Sequence, residues 1–143
     1  MKRIKQDYKK ILEIGERHYK DKNFCGVLTC CTAAQASFGK VFNLFKKKTN
    51  RKTKRGVFDF QIKEVLAHLD VTLEKIYKPE YKNERITVSQ AVKRLPKDQV
   101  FIVYIRGHVF CLDRGKINDW VDPTRRHRVQ SIYKVTRHFK QVK

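Results

Sequence analysis

A chain of 143 residues is long enough for one buried core, so a single domain over residues 1–143 is expected. Its 34 Lys and Arg against 14 Asp and Glu give a formal net charge of +20. Such an excess opposes compaction and points to a counter-charged partner. Charges interrupt every apolar run before the roughly 18 residues that a membrane-spanning helix needs, so no such span and no membrane partner is expected.

The basic opening MKRIKQDYKK is followed by no apolar signal core, which argues against export by that route. Residues 3–19 read as a helix, with Ile4, Tyr8, Ile11, Leu12 and Ile14 on roughly one face. YKDKNF breaks that pattern. Residues 25–38 then read as a second helix of almost entirely small or apolar residues, which should be buried on most sides. Gly39 is expected to end or kink it, while Val41, Phe42, Leu44 and Phe45 carry an apolar face into a basic loop at about 46–56. The dense run KKKTNRKTKR, from Lys46 to Arg55, reads first as a solvated loop and second as a contact for nucleic acid. After a restart at Gly56-Val57, DFQIKEVLAHLD reads as a third helix carrying Ile62, Val65, Leu66 and Leu69. The polar stretch KPEYKNER follows. TVSQAVKRLP is a short helix with Thr87 or Ser89 as N-cap and Pro96 just past its end.

From residue 99 the chain turns to Val, Ile, Phe and Tyr, with turn signals at Arg114-Gly115 and Asp122-Pro123-Thr124. Three antiparallel strands are expected, near 99–113, 116–121 and 127–135. Helices first and a sheet last is the α+β pattern. No internal repeat or low-complexity linker suggests a second domain.

The four cysteines, Cys25, Cys30, Cys31 and Cys111, lie in apolar contexts without metal-ligand spacing, and no cofactor motif is present. As buried thiols they need no partner. Cys25 is placed differently, at a helix start, where unpaired N–H groups favour a thiolate, and Gly26 keeps the approach open. A nucleophilic thiol also needs a base and a group to orient that base. Of five histidines, His18 and His138 lie in basic segments, His68 within the third helix, and His127 in an Arg-rich cluster. His108 follows Gly107 and has apolar strand residues on both sides, which suits a base first and an ordinary core histidine second. A two-residue hairpin loop at Arg114-Gly115 would set Asp113 opposite Lys116, Phe110 opposite Asp119 and His108 opposite Val121. Alternation then puts His108, Phe110, Leu112, Ile117, Asp119 and Val121 on one face. Asp119 becomes a diagonal neighbour of His108, while Asp122 falls on the other face. A slip of one residue would reverse that choice.

This order, Cys at a helix start, His in a strand, Asp in the next, resembles that of papain-like cysteine peptidases. NFCGVLTCCTAA, the Gly56-Val57 restart and RGHVFCLDRGKINDWVDP are similar to a small papain-like group common in bacteriophage and prokaryotic genomes. That group typically shows a cysteine opening a helix, then a Gly-His strand, a Gly turn and Asp-Trp, here Cys25, Gly107-His108, Gly115 and Asp119-Trp120. The Cys-Gly opening is also similar to bacteriocin-processing peptidases. The resemblance covers roughly residues 20 to 135. It implies a papain-like fold, with the nucleophile at the start of a central helix packed on a C-terminal antiparallel sheet, and a Cys-His-Asp triad. Papain-like enzymes commonly place a glutamine six residues before the cysteine; here that residue is Tyr19. Asn23 could instead supply an amide to an oxyanion hole beside the Cys25 N–H, or serve as a plain N-cap. Trp120 would shield the His–Asp pair or belong to the core.

The function expected from these readings is a thiol hydrolase acting on a peptide or isopeptide bond. Cys25 would be the nucleophile, His108 the base and then acid, and Asp119 the orienter. A non-catalytic basic binding or structural protein on the same fold, a phage or virion component associated with nucleic acid, is the alternative. An amide hydrolase acting on cell-wall or small-molecule substrates is a third. The expected partners are a peptide or protein substrate and, through Lys46 to Arg55, nucleic acid. The expected location is the cytoplasm of a bacterium or phage-infected host, or the inside of a virion.

Overall fold

The computed structural model describes residues 8–17, 25–49, 59–79, 84–118 and 127–139. These form, in chain order, α1 (Tyr8–Arg17), α2 (Cys25–Ala34), α3 (Phe38–Thr49), α4 (Asp59–His68), β1 (Val71–Tyr77), α5 (Val88–Arg94), β2 (Val100–Ile105), β3 (His108–Asp113), β4 (Lys116–Asn118) and β5 (Val129–Arg137). The architecture is mixed helix and sheet. The five strands are antiparallel throughout, in the order β1-β5-β2-β3-β4.

Alternation divides the sheet into two buried faces. Val100, Ile102, Tyr104, Val109, Cys111 and Val135 pack under α1 to α4. Phe101, Val103, Ile105, Phe110, Leu112, Val129 and Ile132 pack with Val88 and Ala91 of α5. The central strand β2, VFIVYI, is buried at all six positions. A strand covered on both sides reads as a continuous apolar run, not as an alternating one.

The small residues of α2 do what their composition suggests, with Gly26 through Ala34 all buried. This helix lies against β3 and β2, and Ala33 and Ala34 are fully enclosed. The helix does not run on to residue 38, however, and Gly39 does not break it. Gln35 adopts a left-handed φ of 52°, and the Ala36 N–H returns to the Cys31 carbonyl at 3.1 Å, closing α2 four residues earlier. Ser37 then starts α3 by accepting from the Lys40 N–H at 3.3 Å, and Gly39 is inside that helix. Ser37 is exposed and takes no part in the packing of α2.

The basic run also begins differently. Lys46 and Lys47 sit on the last turns of α3, exposed, with the Lys46 ammonium 5.7 Å from the Phe42 ring centroid. Cations suit the negative end of a helix dipole, so the apolar face of α3 carries the helix into the lysines. The rest of the run, and the Gly56-Val57 restart, lie outside the described residues.

Two strands differ from expectation. VTLEKIY forms β1, paired with β5, although only Val71 of its seven residues is buried and its register shifts between Lys75 and Tyr77. An exposed edge strand with a bulge carries little alternation to read. The stretch 99–113 is two strands, joined at Arg106-Gly107, where Gly107 takes φ 70°. The second hairpin matches its reading. Arg114 and Gly115, at φ 50° and 85°, form the two-residue turn, and Asp113 pairs with Lys116 and Leu112 with Ile117. Ahead of β2, Thr87 is the N-cap of α5, in a reciprocal capping box with Gln90.

Candidate active site

The opening of α2 and the opening of β3 meet. Cys25, the first residue of α2, is partly exposed and rests on the helix-side core. His108, the first residue of β3, is half-buried, with its ring stacked on Phe110 at 6.4 Å between centroids. By alternation His108 belongs to the Phe110 side, whereas α2 lies on the Val109 side. They come together because His108 stands at the strand's end, directly after the Gly107 turn, not within a strand as its neighbours suggested.

The Cys25 thiol is hydrogen-bonded to the His108 imidazole. Burial alone would raise its pKa. The His108 hydrogen bond, the charge of that ring, and the amides of Val109 and Gly26 act the other way and prevail, so the thiol ionises below its ordinary range. Val109 and Gly26 bear no reactive side chain, so residue-type reasoning passes over their main-chain groups.

Register explains why Val109 is available. Ile105 and His108 close the two-residue β2–β3 turn, so the next pair, Tyr104 and Val109, is one whose main-chain groups point away from each other. Val109 thus offers its N–H and carbonyl on the side away from β2. The first turns of α2 take both: the amide serves the Cys25 sulfur, and the carbonyl accepts from Thr29 Oγ1 at 3.2 Å.

The other three thiols differ in kind. Cys30, Cys31 and Cys111 are fully buried. Desolvation drives all three pKa values up, Cys111 to about 12 in spite of a hydrogen bond from Thr32. All four cysteines are free. Neither His68 nor His138 competes for the site, both being exposed, with His138 bonded to Thr72 Oγ1 at 2.8 Å. Asp119 and Asn23, the expected orienter and oxyanion donor, lie outside the described residues, as do Tyr19, Trp120 and Asp122. The expected pairing of Phe110 with Asp119 falls one step beyond the last described pair of the hairpin, Cys111 with Asn118. Among the described residues no group of three or more His, Cys, Asp or Glu is placed to hold a metal, and no helix is long and apolar enough to cross a membrane.

At its far end α2 meets a second polar cluster. Arg137 of β5 donates to the Ala33 carbonyl at 2.7 Å and to the Thr32 carbonyl at 3.0 Å, and pairs with Asp113 at 3.3 Å. Asp113 also accepts from Arg114 at 2.9 Å. The last-turn carbonyls of α2 are therefore satisfied by a buried guanidinium, while the Cys31 carbonyl is satisfied by Ala36. Nothing in the sequence marked Asp113 and Arg137 as partners, 24 positions apart. In comparisons with known proteins, no family model, no curated protein and no solved structure matches this chain.

Proposed function

We propose that the protein is a papain-like thiol hydrolase that cleaves a peptide or isopeptide bond. The observation that carries this reading is the partly exposed Cys25 thiol, hydrogen-bonded to His108 at a helix start and ionising below the ordinary thiol range. A thiolate–imidazolium pair is the resting form such chemistry requires. The Cys25 sulfur attacks the acyl carbon, and the carbonyl oxygen takes up the negative charge. The carbon–nitrogen bond then breaks, and the His108 imidazolium gives its proton to the departing amine. In the second half His108 takes a proton from water, the resulting hydroxide adds to the thioester carbon, the carbon–sulfur bond breaks, and a carboxylic acid and the resting thiolate–imidazolium pair remain. Asp119 is assigned the role of orienting the imidazole, and Asn23 that of a side-chain donor to the oxyanion.

The reading is tested by limited alkylation with iodoacetamide at pH 6, followed by mass spectrometry of each cysteine. Cys25 should be modified first. His108→Ala should slow that modification by about one to two orders of magnitude, because the thiol returns toward its free pKa of about 8.5. Asp119→Asn should slow it less. Equal sluggishness of all four thiols, or indifference to His108→Ala, would remove the hydrolase and leave a basic binding protein. Turnover of fluorogenic peptide libraries, lost in Cys25→Ser, would then define the scissile bond.

A further inference from the structure

Thr29 lies one turn below Cys25, fully inside the protein at 1% exposure. Its hydroxyl faces two carbonyl oxygens, that of Cys25 at 2.7 Å and that of Val109 at 3.2 Å. The first belongs to the residue bearing the thiol, the second to the residue that follows His108. A threonine in a helix commonly returns its hydroxyl to the carbonyl four residues back, and that contact alone would be local. The second contact spans 80 positions of sequence and ties the helix to the strand. Val109 is held from both of its main-chain groups, the carbonyl by Thr29 and the amide by the Cys25 sulfur.

We propose that Thr29 is the positioning residue of the Cys25–His108 pair. It shares its single hydroxyl proton between the two carbonyls and so fixes the distance between thiol and imidazole. The proposal rests on the reading of that pair as reactive, and goes beyond it by naming what holds it in register. Thiol–imidazole transfer is steep in distance, and a displacement of a few tenths of an ångström at the strand end weakens the hydrogen bond on which the thiolate depends.

Thr32 supplies the comparison. It is buried in the same helix, at 3% exposure, and its hydroxyl meets the helix carbonyls of Leu28 at 3.2 Å and Thr29 at 3.0 Å and, on β3, the side-chain thiol of Cys111 rather than a main-chain group. Removing it costs a buried hydroxyl without touching the β3 backbone.

The experiment is the pH profile of Cys25 alkylation by iodoacetamide in the full-length protein, read by mass spectrometry. Thr29→Val should move the midpoint up by about one pH unit, roughly tenfold slower labelling on the acid limb. Thr29→Ser, which keeps the hydroxyl, should retain the wild-type midpoint, as should Thr32→Val. A Thr29→Val profile that overlays wild type, or a Thr32→Val shift of equal size, overturns the proposal. If Thr29→Val does not fold, as judged by circular dichroism, the comparison passes to Thr29→Ala against Thr29→Ser. A shift in Ala alone supports the role, and equal behaviour of the two overturns it. His108→Ala separates this idea from the one beneath it: no effect there removes the reactive pair itself, whereas an effect there with none in Thr29→Val removes Thr29 alone.

Discussion

The two ends of α2 solve the same physical problem in opposite ways. Each end of a helix leaves main-chain groups unsatisfied and a partial charge exposed. At the C-terminal end, a buried Arg137–Asp113 pair covers the carbonyls of Thr32 and Ala33 and meets the negative pole with a cation. At the N-terminal end, the positive pole faces the Cys25 sulfur, beside a histidine and partly open to solvent. The buried end is built for permanence, since its charges are fully engaged and its side chains enclosed. The open end keeps the Cys25 thiol, beside the His108 ring, within reach of a small molecule. A perturbed group in a closed cluster is most simply structural, and one at an accessible helix start is a candidate for chemistry.

The largest effect should come from the closed end. Arg137→Met leaves Asp113 with Arg114 as its remaining ionic partner and strips two carbonyls of theirs. It should cost about 3–5 kcal/mol in urea unfolding. If the cost stays under about 1 kcal/mol, the closed end is not the anchor described. The thiols come next. Cys30→Ser places a hydroxyl in a fully apolar site and should cost about 1–3 kcal/mol. Cys25→Ser at the partly open end should change stability by less than about 1 kcal/mol while abolishing alkylation there.

The same contrast appears in pH dependence, with opposite signs. Cys30, Cys31 and Cys111 have folded pKa values above their unfolded ones. Their contribution is complete below the unfolded value of about 8.5. It is lost as pH rises, because the unfolded chain releases protons that the fold retains. Each thiol should lower stability by about 1.4 kcal/mol per pH unit above that value. Cys25 works in reverse. Its folded pKa is depressed, so its contribution is present above the unfolded value and fades as pH falls through the folded one. Urea midpoints between pH 8 and 10 should therefore decline, and a flat profile would contradict the burial of the three thiols. A modest effect is expected at α5, on the other face of the sheet from α2. There Thr87→Ala removes one half of the capping box and should cost about 1 kcal/mol in the same assay.

Several features were legible in the residues because their causes are local. The burial of α2 follows from ten small or apolar residues in succession. The Arg114-Gly115 turn follows from the glycine and from the strand sequences on either side, and its register set Asp113 opposite Lys116. Thr87 and Ser89 both offered a cap, and the structure uses Thr87, with Gln90 completing the box. Cys25 stood out because a thiol at a helix start meets unpaired amides whatever the rest of the chain does. His108 stood out because it was a polar residue among strand-forming ones. The alternation that singled it out also set it on the Phe110 side, away from α2.

What tertiary structure alone decided were the contacts between residues far apart in sequence. Arg106-Gly107 turned one long apolar stretch into two strands, and only that turn brings His108 to a strand end where a helix on the other side can meet it. β1 exists because β5 offers it an edge, not because VTLEKIY alternates. The Gln35 break in α2 forms without a glycine because the flanking chain is held on both sides, and Arg137 closes the helix from the last strand of the sheet. Sequence patterns record what each residue does to its neighbours through backbone geometry and hydrophobic period. A hydroxyl of α2 on a carbonyl of β3, or a guanidinium of β5 on the carbonyls of α2, exists only once the layers have packed.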